Sequence, residues 1–286
     1  MKIKKFFGVV LVLVVSWNLL VFYVDYKLEQ KSFDDTYKSC YKVWNSRGSY
    51  KDFFQQNTIG SITKAFKENA VGLEFDFHYD VKTNRFIIGH DHPMMGSDGE
   101  LKYCLKNNGK ILTMKMLFDA LDEKQTYYFW LDYKNLDKLT KEQTLKSIQR
   151  LKSITKGKNL LENLYIEGSN PLRLPLYEKA GIKTIFGIHP LKNDSIFASI
   201  TLKGYKVAFY FSDASAIAMG YGRDMSNPLY GKKAKDIYKN LPMFLFHVKN
   251  TKELISKLIK YENIRVVLVN AKPSQRIDFK EFNSCK

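Results

Sequence analysis

Short apolar runs alternate with stretches of helical spacing along most of this chain, and that alternation limits the folds open to it. Tyr41-Lys42-Val43-Trp44-Asn45-Ser46-Arg47-Gly48 reads as a short strand closed by a glycine turn. Gln56 to Asn69 puts Ile59, Ile62, Ala65 and Phe66 on one helical face. Strand-like runs recur near residues 74, 87, 129, 165, 185, 208, 245 and 267, the one near 87 turning back as a hairpin. The run near 208 is Lys206 to Phe211. Helical spacing fills the gaps at 112–121, 138–154, 171–180 and 251–261, with Thr113 and Thr251 as expected N-caps. Strands separated by crossover helices build a parallel sheet. About eight of them over 286 residues fit a closed barrel better than an open doubly wound sheet. No GxGxxG follows the first strand, which argues against a dinucleotide domain. The fold class expected is α/β: a (β/α)8 TIM-type barrel preceded by one N-terminal transmembrane helix.

The chemistry concentrates in Val71 to Pro93. Leu73, Phe75 and Phe77 alternate with Glu74, Asp76 and His78, so one strand face carries two acids and a histidine. After a turn at Lys82 to Asn84, the run Phe86 to Ile88 ends in Gly89-His90-Asp91-His92-Pro93. The pattern alone leaves two readings open. One is an edge hairpin with a charged outer face. The other is a ligand set for a hard cation at a strand end, where barrel enzymes keep their chemistry.

The N-terminus opens with the lysine-rich MKIKK, and Phe6 to Val24 is uncharged, with Trp17 and Tyr23 near its far end. At about 1.5 Å per residue that run just crosses a bilayer, and the lysines hold the N-terminus in the cytoplasm. A cleavable signal peptide is the alternative. The run is long for a signal peptide's apolar core, however, and the bulky, charged VFYVDYKLEQ offers no small-residue cleavage site. The expected division is a cytoplasmic tail at 1–5, a signal anchor at 6–24, a tether at 25–40 and a barrel at 41–286. The chain is then a single-pass protein of the cytoplasmic membrane, its barrel on the periplasmic or extracellular side.

The net charge of +17 suits an anionic membrane surface or an anionic substrate. The lysines are scattered and no nucleic-acid motif accompanies them, so nucleic acid is not an expected partner. The chain is expected to be a monomer. Its three cysteines, Cys40, Cys104 and Cys285, form no CxxC, so neither a zinc site nor a redox pair is indicated. Cys40 precedes the first strand and Cys285 follows the last. First and last strands are neighbours in a closed barrel. In an oxidising compartment a Cys40–Cys285 bridge is therefore expected, with Cys104 left in a polar loop.

The order of short motifs resembles the glycerophosphodiester phosphodiesterase family of the phospholipase-C-like phosphodiesterases. That family's pattern runs from a first-strand His-Arg-Gly through Glu-Asn-Thr, a Glu-x-Asp strand, a His-Asp pair and an acid-x-Lys strand. The present chain has Ser46-Arg47-Gly48, Gln56-Asn57-Thr58, Glu74-Phe75-Asp76, His90-Asp91 and Asp132-Tyr133-Lys134. Val248-Lys249-Asn250-Thr251-Lys252-Glu253-Leu254 through Val269-Asn270 is similar to the family's last two strands and their helix. The resemblance implies a divalent metal, Mg²⁺ or Ca²⁺, on Glu74, Asp76 and Asp132. It implies an anion clamp from Arg47 and Lys134, and His90 as a proton-transfer group. Trp44 and Trp130, beside strand ends, pack the barrel or flank a ligand, and Trp44 is counted with the substrate-binding residues.

One departure matters. The family's first histidine stands where this chain has Ser46, and serine does not exchange a proton near neutral pH as imidazole does. Ser46 is kept among the catalytic positions together with His90, Arg47 and Lys134. His189, in Gly-Ile-His-Pro, is expected to cap a turn, and His247 to be a core histidine. The function implied is a membrane-anchored, metal-dependent phosphodiesterase acting on glycerophosphodiesters or lipid-headgroup phosphodiesters. The alternative is an impaired barrel that binds a phospholipid or sugar-phosphate ligand without hydrolysing it.

Overall fold

The computed structural model describes residues 2–52, 55–271 and 277–282. A long helix, α1 (Lys2–Gln30), precedes β1 (Val43–Ser49), α2 (Ile59–Lys67), β2 (Gly72–Asp80) and β3 (Arg85–Ile88). An excursion carrying two small ribbons leads to α3 (Met114–Asp119) and β4 (Tyr128–Tyr133). Then follow α4 (Lys141–Thr155), β5 (Leu164–Gly168), α5 (Leu174–Glu178), β6 (Lys183–Ile188) and α6 (Ala198–Ser212). The chain continues through β7 (Ala216–Gly220), α7 (Lys232–Ile237), β8 (Met243–Phe246), α8 (Lys252–Leu258), β9 (Ile264–Ala271) and α9 (Phe279–Phe282). β1, β2 and β4 to β9 are the eight parallel strands, and the sheet closes because β1 pairs with both β9 and β2. β3 runs antiparallel against β2 as the expected hairpin.

Two cores hold the barrel. Outside the sheet, residues such as Phe75, Phe129, Leu131 and Ile166 are buried under the helices. Inside, Trp44, Trp130, Tyr165 and Phe244 fill the bore. Four large rings fit because other strands supply small residues at their level, Ala216 and Ala218 on β7 among them. At Gly72 on β2, any Cβ would fall into the Trp44 ring. Tyr37 plugs the N-terminal end of the bore, its ring edge-on to Trp44 and to Tyr128 at 4.9 Å each. Its backbone N–H donates to the Tyr165 hydroxyl at 2.8 Å.

This arrangement corrects two expectations. Trp44 is 0% exposed inside the bore, so it packs the barrel and does not meet a ligand at the mouth. Lys206 to Phe211 is not a strand but the end of α6, where Leu202 and Phe209, two helical turns apart, are buried together. The apolar run there satisfies either period, and length decides for the helix. The strand that follows, Ala-Ile-Ala-Met-Gly, is built from the small residues the bore requires, so it lacks the bulky branched signature of a strand.

Among the described residues, α1 is the helix long and apolar enough to cross a membrane; a signal sequence shares those features. It runs unbroken past residue 24, where the span was expected to end. Val21, Val24 and Leu28 are buried, and Asp25 pairs with Lys206 at 2.7 Å. Lys31 pairs with Asp213 at 2.7 Å, and the Thr36 hydroxyl donates to the Ser215 carbonyl at 2.9 Å. The segment expected as a tether thus makes contacts with the barrel. Cys40 is disulfide-bonded and Cys104 carries a free thiol. The expected partner of Cys40, Cys285, lies outside the described residues.

Candidate active site

The C-terminal ends of the strands surround a cavity of about 420 Å³. β2 sends Glu74 and Asp76 to the same face because they are two residues apart. β4 runs in register beside it, with Asp76 opposite Asp132. One oxygen from each of these three acids lies within 4.8 Å of the others.

Asp76 is the most heavily bonded of the three. Arg47 reaches it through Nε at 2.9 Å and Lys134 through Nζ at 2.7 Å. The Asn57 side chain donates through Nδ2 to Oδ2, the oxygen that Arg47 Nε also meets, at 2.8 Å. Lys134 also bonds Asp132. Arg47 reaches into the mouth because β1 bulges between Ser46 and Ser49. Arg47 and Gly48 both take positive φ there, 61° and 86°. A Cβ on Gly48 would meet the Ser61 backbone and side chain at 2.6 Å, so only glycine fits. The Gln56 side chain accepts from Arg47 at 3.2 Å and braces it from the other side. The sequence triplet Gln56-Asn57-Thr58 therefore has a physical role: it orients Arg47 and Asp76, and Thr58 caps α2.

Among the described residues, no cation bonds Glu74 directly. Its side-chain donor there is Ser46, whose hydroxyl gives a 2.7 Å hydrogen bond to Oε2. Burial, with the neighbouring Asp76 charge, pushes the Glu74 carboxyl up to about 8. Burial also raises Asp132, with Asp76 adding to it against Lys134. Burial would raise Asp76 as well, but Lys134 and Arg47 outweigh it and hold that carboxyl below its ordinary value. Two under-compensated acids beside an ionised third are what a divalent cation would satisfy. The geometry of the trio fits such an ion, with Glu74, Asp76 and Asp132 as its holders.

Three histidines line the cavity: His90, His189 and His247. His90 follows β3 and bonds Asp91 through Nδ1 at 3.1 Å. His189 and His247 end β6 and β8 on either side of Phe246, with ring centroids 6.5 and 4.9 Å from it. The core expectation for His247 is corrected, since it lines the cavity; His189 lines the cavity too, from just past the end of β6. His247 sits just past the last residue of β8, where a positive φ of 53° turns it into the mouth. Burial lowers its pKa below the usual histidine value, and Arg223, Arg47, His189 and Lys134 push the same way. His78 and His92 stay together instead, Nδ1 to Nδ1 at 3.4 Å.

Glu167 lines the cavity and is a site position that sequence reading missed. It ends β5 in register with Asp132 and accepts a 2.6 Å hydrogen bond from Trp130 Nε1. Burial raises its carboxyl well above normal, and Asp132 adds to that. Gly187 on the next strand leaves the space its side chain fills, since a Cβ there would lie 2.7 Å from Glu167 Oε1. The signal that could have found it is its position, an acid at a strand end just before a glycine, in step with Asp132 on the preceding strand. Four carboxylates thus line the cavity, Glu74, Asp132, Asp137 and Glu167, against two permanent cations, Arg47 and Lys134. In a chain of net charge +17, acids outnumber permanent cations at this mouth.

No protein-family model and no curated protein matches the sequence. Solved structures do match by fold. A protein of Galdieria sulphuraria assigned as a glycerophosphodiester phosphodiesterase superposes with a TM-score of 0.59 at 15% identity, covering 85% of this chain and 98% of its own. A glycerophosphodiester phosphodiesterase from Parabacteroides distasonis gives 0.58 at 17% identity, covering 84% of this chain and 96% of its own. The likeness is one of architecture alone: these structures share the TIM-type barrel with this chain at low sequence identity.

Proposed function

We propose that the chain is a membrane-anchored, metal-dependent phosphodiesterase that cleaves a glycerol- or lipid-headgroup phosphodiester on the outer side of the cytoplasmic membrane. The observation that carries this reading is the acid trio Glu74, Asp76 and Asp132, set beside Lys134 and Arg47 inside a strongly basic chain. A cation among these acids would hold them in their ionised form and give a phosphate a positive partner there. The fold the chain shares with glycerophosphodiester phosphodiesterases supports the substrate class. A bound Mg²⁺ or Ca²⁺ would neutralise phosphate charge and polarise its oxygens.

The residues then divide the work as follows. Arg47 and Lys134 hold the anionic oxygens, each fixed in place by Asp76. His90 transfers a proton on one side of the phosphorus. Ser46 cannot serve the other side, because its hydroxyl does not titrate near neutrality and is already committed to Glu74. His247, with His189 beside it, supplies the second imidazole from the opposite rim. Glu167 fixes Trp130, which forms part of the cavity wall. The chain is anchored by α1 as a single span, with residues 41–286 as the catalytic unit, acting as a monomer.

The test is an assay of the full chain in detergent or bilayer on glycerophosphodiesters and phospholipids, with and without a chelator. Metal-dependent release of an alcohol supports the reading. A second reading, binding without turnover, is favoured by Ser46 alone, and clear ligand binding with no turnover would establish it.

A further inference from the structure

The course of α1 relative to the barrel has a consequence for where the substrate resides. Trp17 packs at Gly204, Tyr23 meets Tyr210, and Lys31 pairs with Asp213, so α1 runs parallel to α6. α6 follows β6 and precedes β7, so it starts at the mouth end of the barrel and descends toward the base. The N-terminal half of α1 therefore leaves the molecule on the mouth side.

The same side carries the exposed apolar residues. Met94 and Met95 follow β3, Leu172 follows β5, and Ile196, Phe197 and Ile200 stand at the start of α6. Leu172 is 76% and Ile196 83% exposed. At the base, exposed aromatic residues are scattered singly, as at Tyr41 and Tyr261. Apolar side chains gathered on one face mark an interaction surface, whereas isolated ones do not.

Helix length points to the partner. From Trp17 onward α1 is held along α6, so the part free to enter a bilayer is Phe6 to Ser16. That is about 16 Å of helix, against a hydrocarbon core of about 30 Å. A full span must draw the top of α6, with Ile196, Phe197 and Ile200, into the lipid interface.

We infer that the mouth face docks on a lipid bilayer and that the phosphodiester it takes is a lipid headgroup still embedded there. The inference about the substrate rests on the proposed function; the docking does not. A headgroup phosphate lies at the depth of this rim and enters the cavity without its lipid leaving the bilayer.

The experiment uses the full-length chain with Cys104→Ser, reconstituted in vesicles of phosphatidylethanolamine and phosphatidylglycerol. A fluorophore is placed on Phe197→Cys, on Leu172→Cys or, at the base, on Tyr261→Cys, and lipids bearing a shallow nitroxide are added. Labels at 197 and 172 should be quenched and the label at 261 should not. Unquenched mouth labels, equal quenching at 261, self-quenching between copies of the chain, or a mature chain that has lost α1 would each overturn the docking. A second arm replaces Ile196 and Phe197 with Asp. Turnover of bilayer-embedded phosphodiester should fall by about tenfold or more, while turnover of a soluble glycerophosphodiester stays unchanged. Equal effects on both, or none on either, overturn the lipid-substrate assignment. Absence of all turnover in the unaltered chain defeats the catalytic reading and with it that assignment, and leaves the quenching result to decide the docking alone.

Discussion

The Ser46 hydroxyl donates a 2.7 Å hydrogen bond to Glu74 Oε2, at the position where the resembling family pattern has a histidine. The proposed function gives the serine the part of a donor to the carboxylate cluster and none in proton transfer. Ser46→Ala should leave turnover within about threefold, while His90→Gln should lower it by about 10²-fold or more. Steady-state kinetics on one phosphodiester decides. A large loss in Ser46→Ala would mean that the hydroxyl does more than donate to Glu74.

His247 gives a pH prediction. Burial, then Arg223, Arg47, His189 and Lys134, hold its pKa below the ordinary value of about 6.5. The group is thus neutral at pH 7 and becomes protonated only on further acidification. If it acts as the base, turnover rises with pH through that lowered value and levels off above it. His247→Gln should abolish that acid limb and lower the plateau by about 10²-fold. A profile with the acid limb intact in the variant would remove His247 from the mechanism.

The two acids of β2 should behave differently when mutated. Glu74→Ala removes an under-compensated buried carboxylate, so stability should change little or rise, while metal binding is lost. Asp76→Ala also removes metal binding, but it leaves Arg47, Lys134 and Asn57 without their common partner. A loss of about 3–5 kcal/mol is expected there. Calorimetric metal titration and denaturant unfolding of both variants check the pair of outcomes. Unchanged metal affinity in both would reduce the trio to an ordinary acid cluster.

Much of this site was legible because β2 and β4 state it locally. Glu74, Asp76, Asp132 and Lys134 alternate with apolar residues, and a two-residue period leaves little choice of face. The eight-strand count also survived, although one strand was read in the wrong place. Ala216 to Gly220 escaped notice because the bore selects small residues there. His247 escaped for a different reason: a backbone turn at φ 53° carries it out of its apolar run, and one sequence does not reveal that turn. Trp44 was misplaced because strand residues two apart share a face but differ in depth, so Ser46 reaches the mouth and Trp44 stays inside.

Trp44 yields a stability prediction. Its ring touches Tyr37, Tyr128, Tyr165 and Phe244 within the bore. Trp44→Ala should cost about 3–5 kcal/mol by emptying that volume. Denaturant midpoints read the loss, and a cost under about 1 kcal/mol would show that the bore collapses to fill the space.

The bridge expected between Cys40 and Cys285 would close nearly the whole barrel into one loop. Loop-closure entropy for so long a loop is worth on the order of 5 kcal/mol, an upper figure. Non-reducing peptide mapping should recover a Cys40–Cys285 peptide and an alkylated Cys104. A bridge containing Cys104, or alkylation of all three without reductant, contradicts the pairing.

The most direct test of metal-dependent phosphodiester cleavage is to measure alcohol release from glycerophosphodiesters and phospholipids by the full chain, with Mg²⁺ or Ca²⁺ and then with a chelator. Release with the metal, abolished by the chelator and by Glu74→Ala, is the predicted result. Release that persists in the chelator, or ligand binding with no release under any metal, would contradict it.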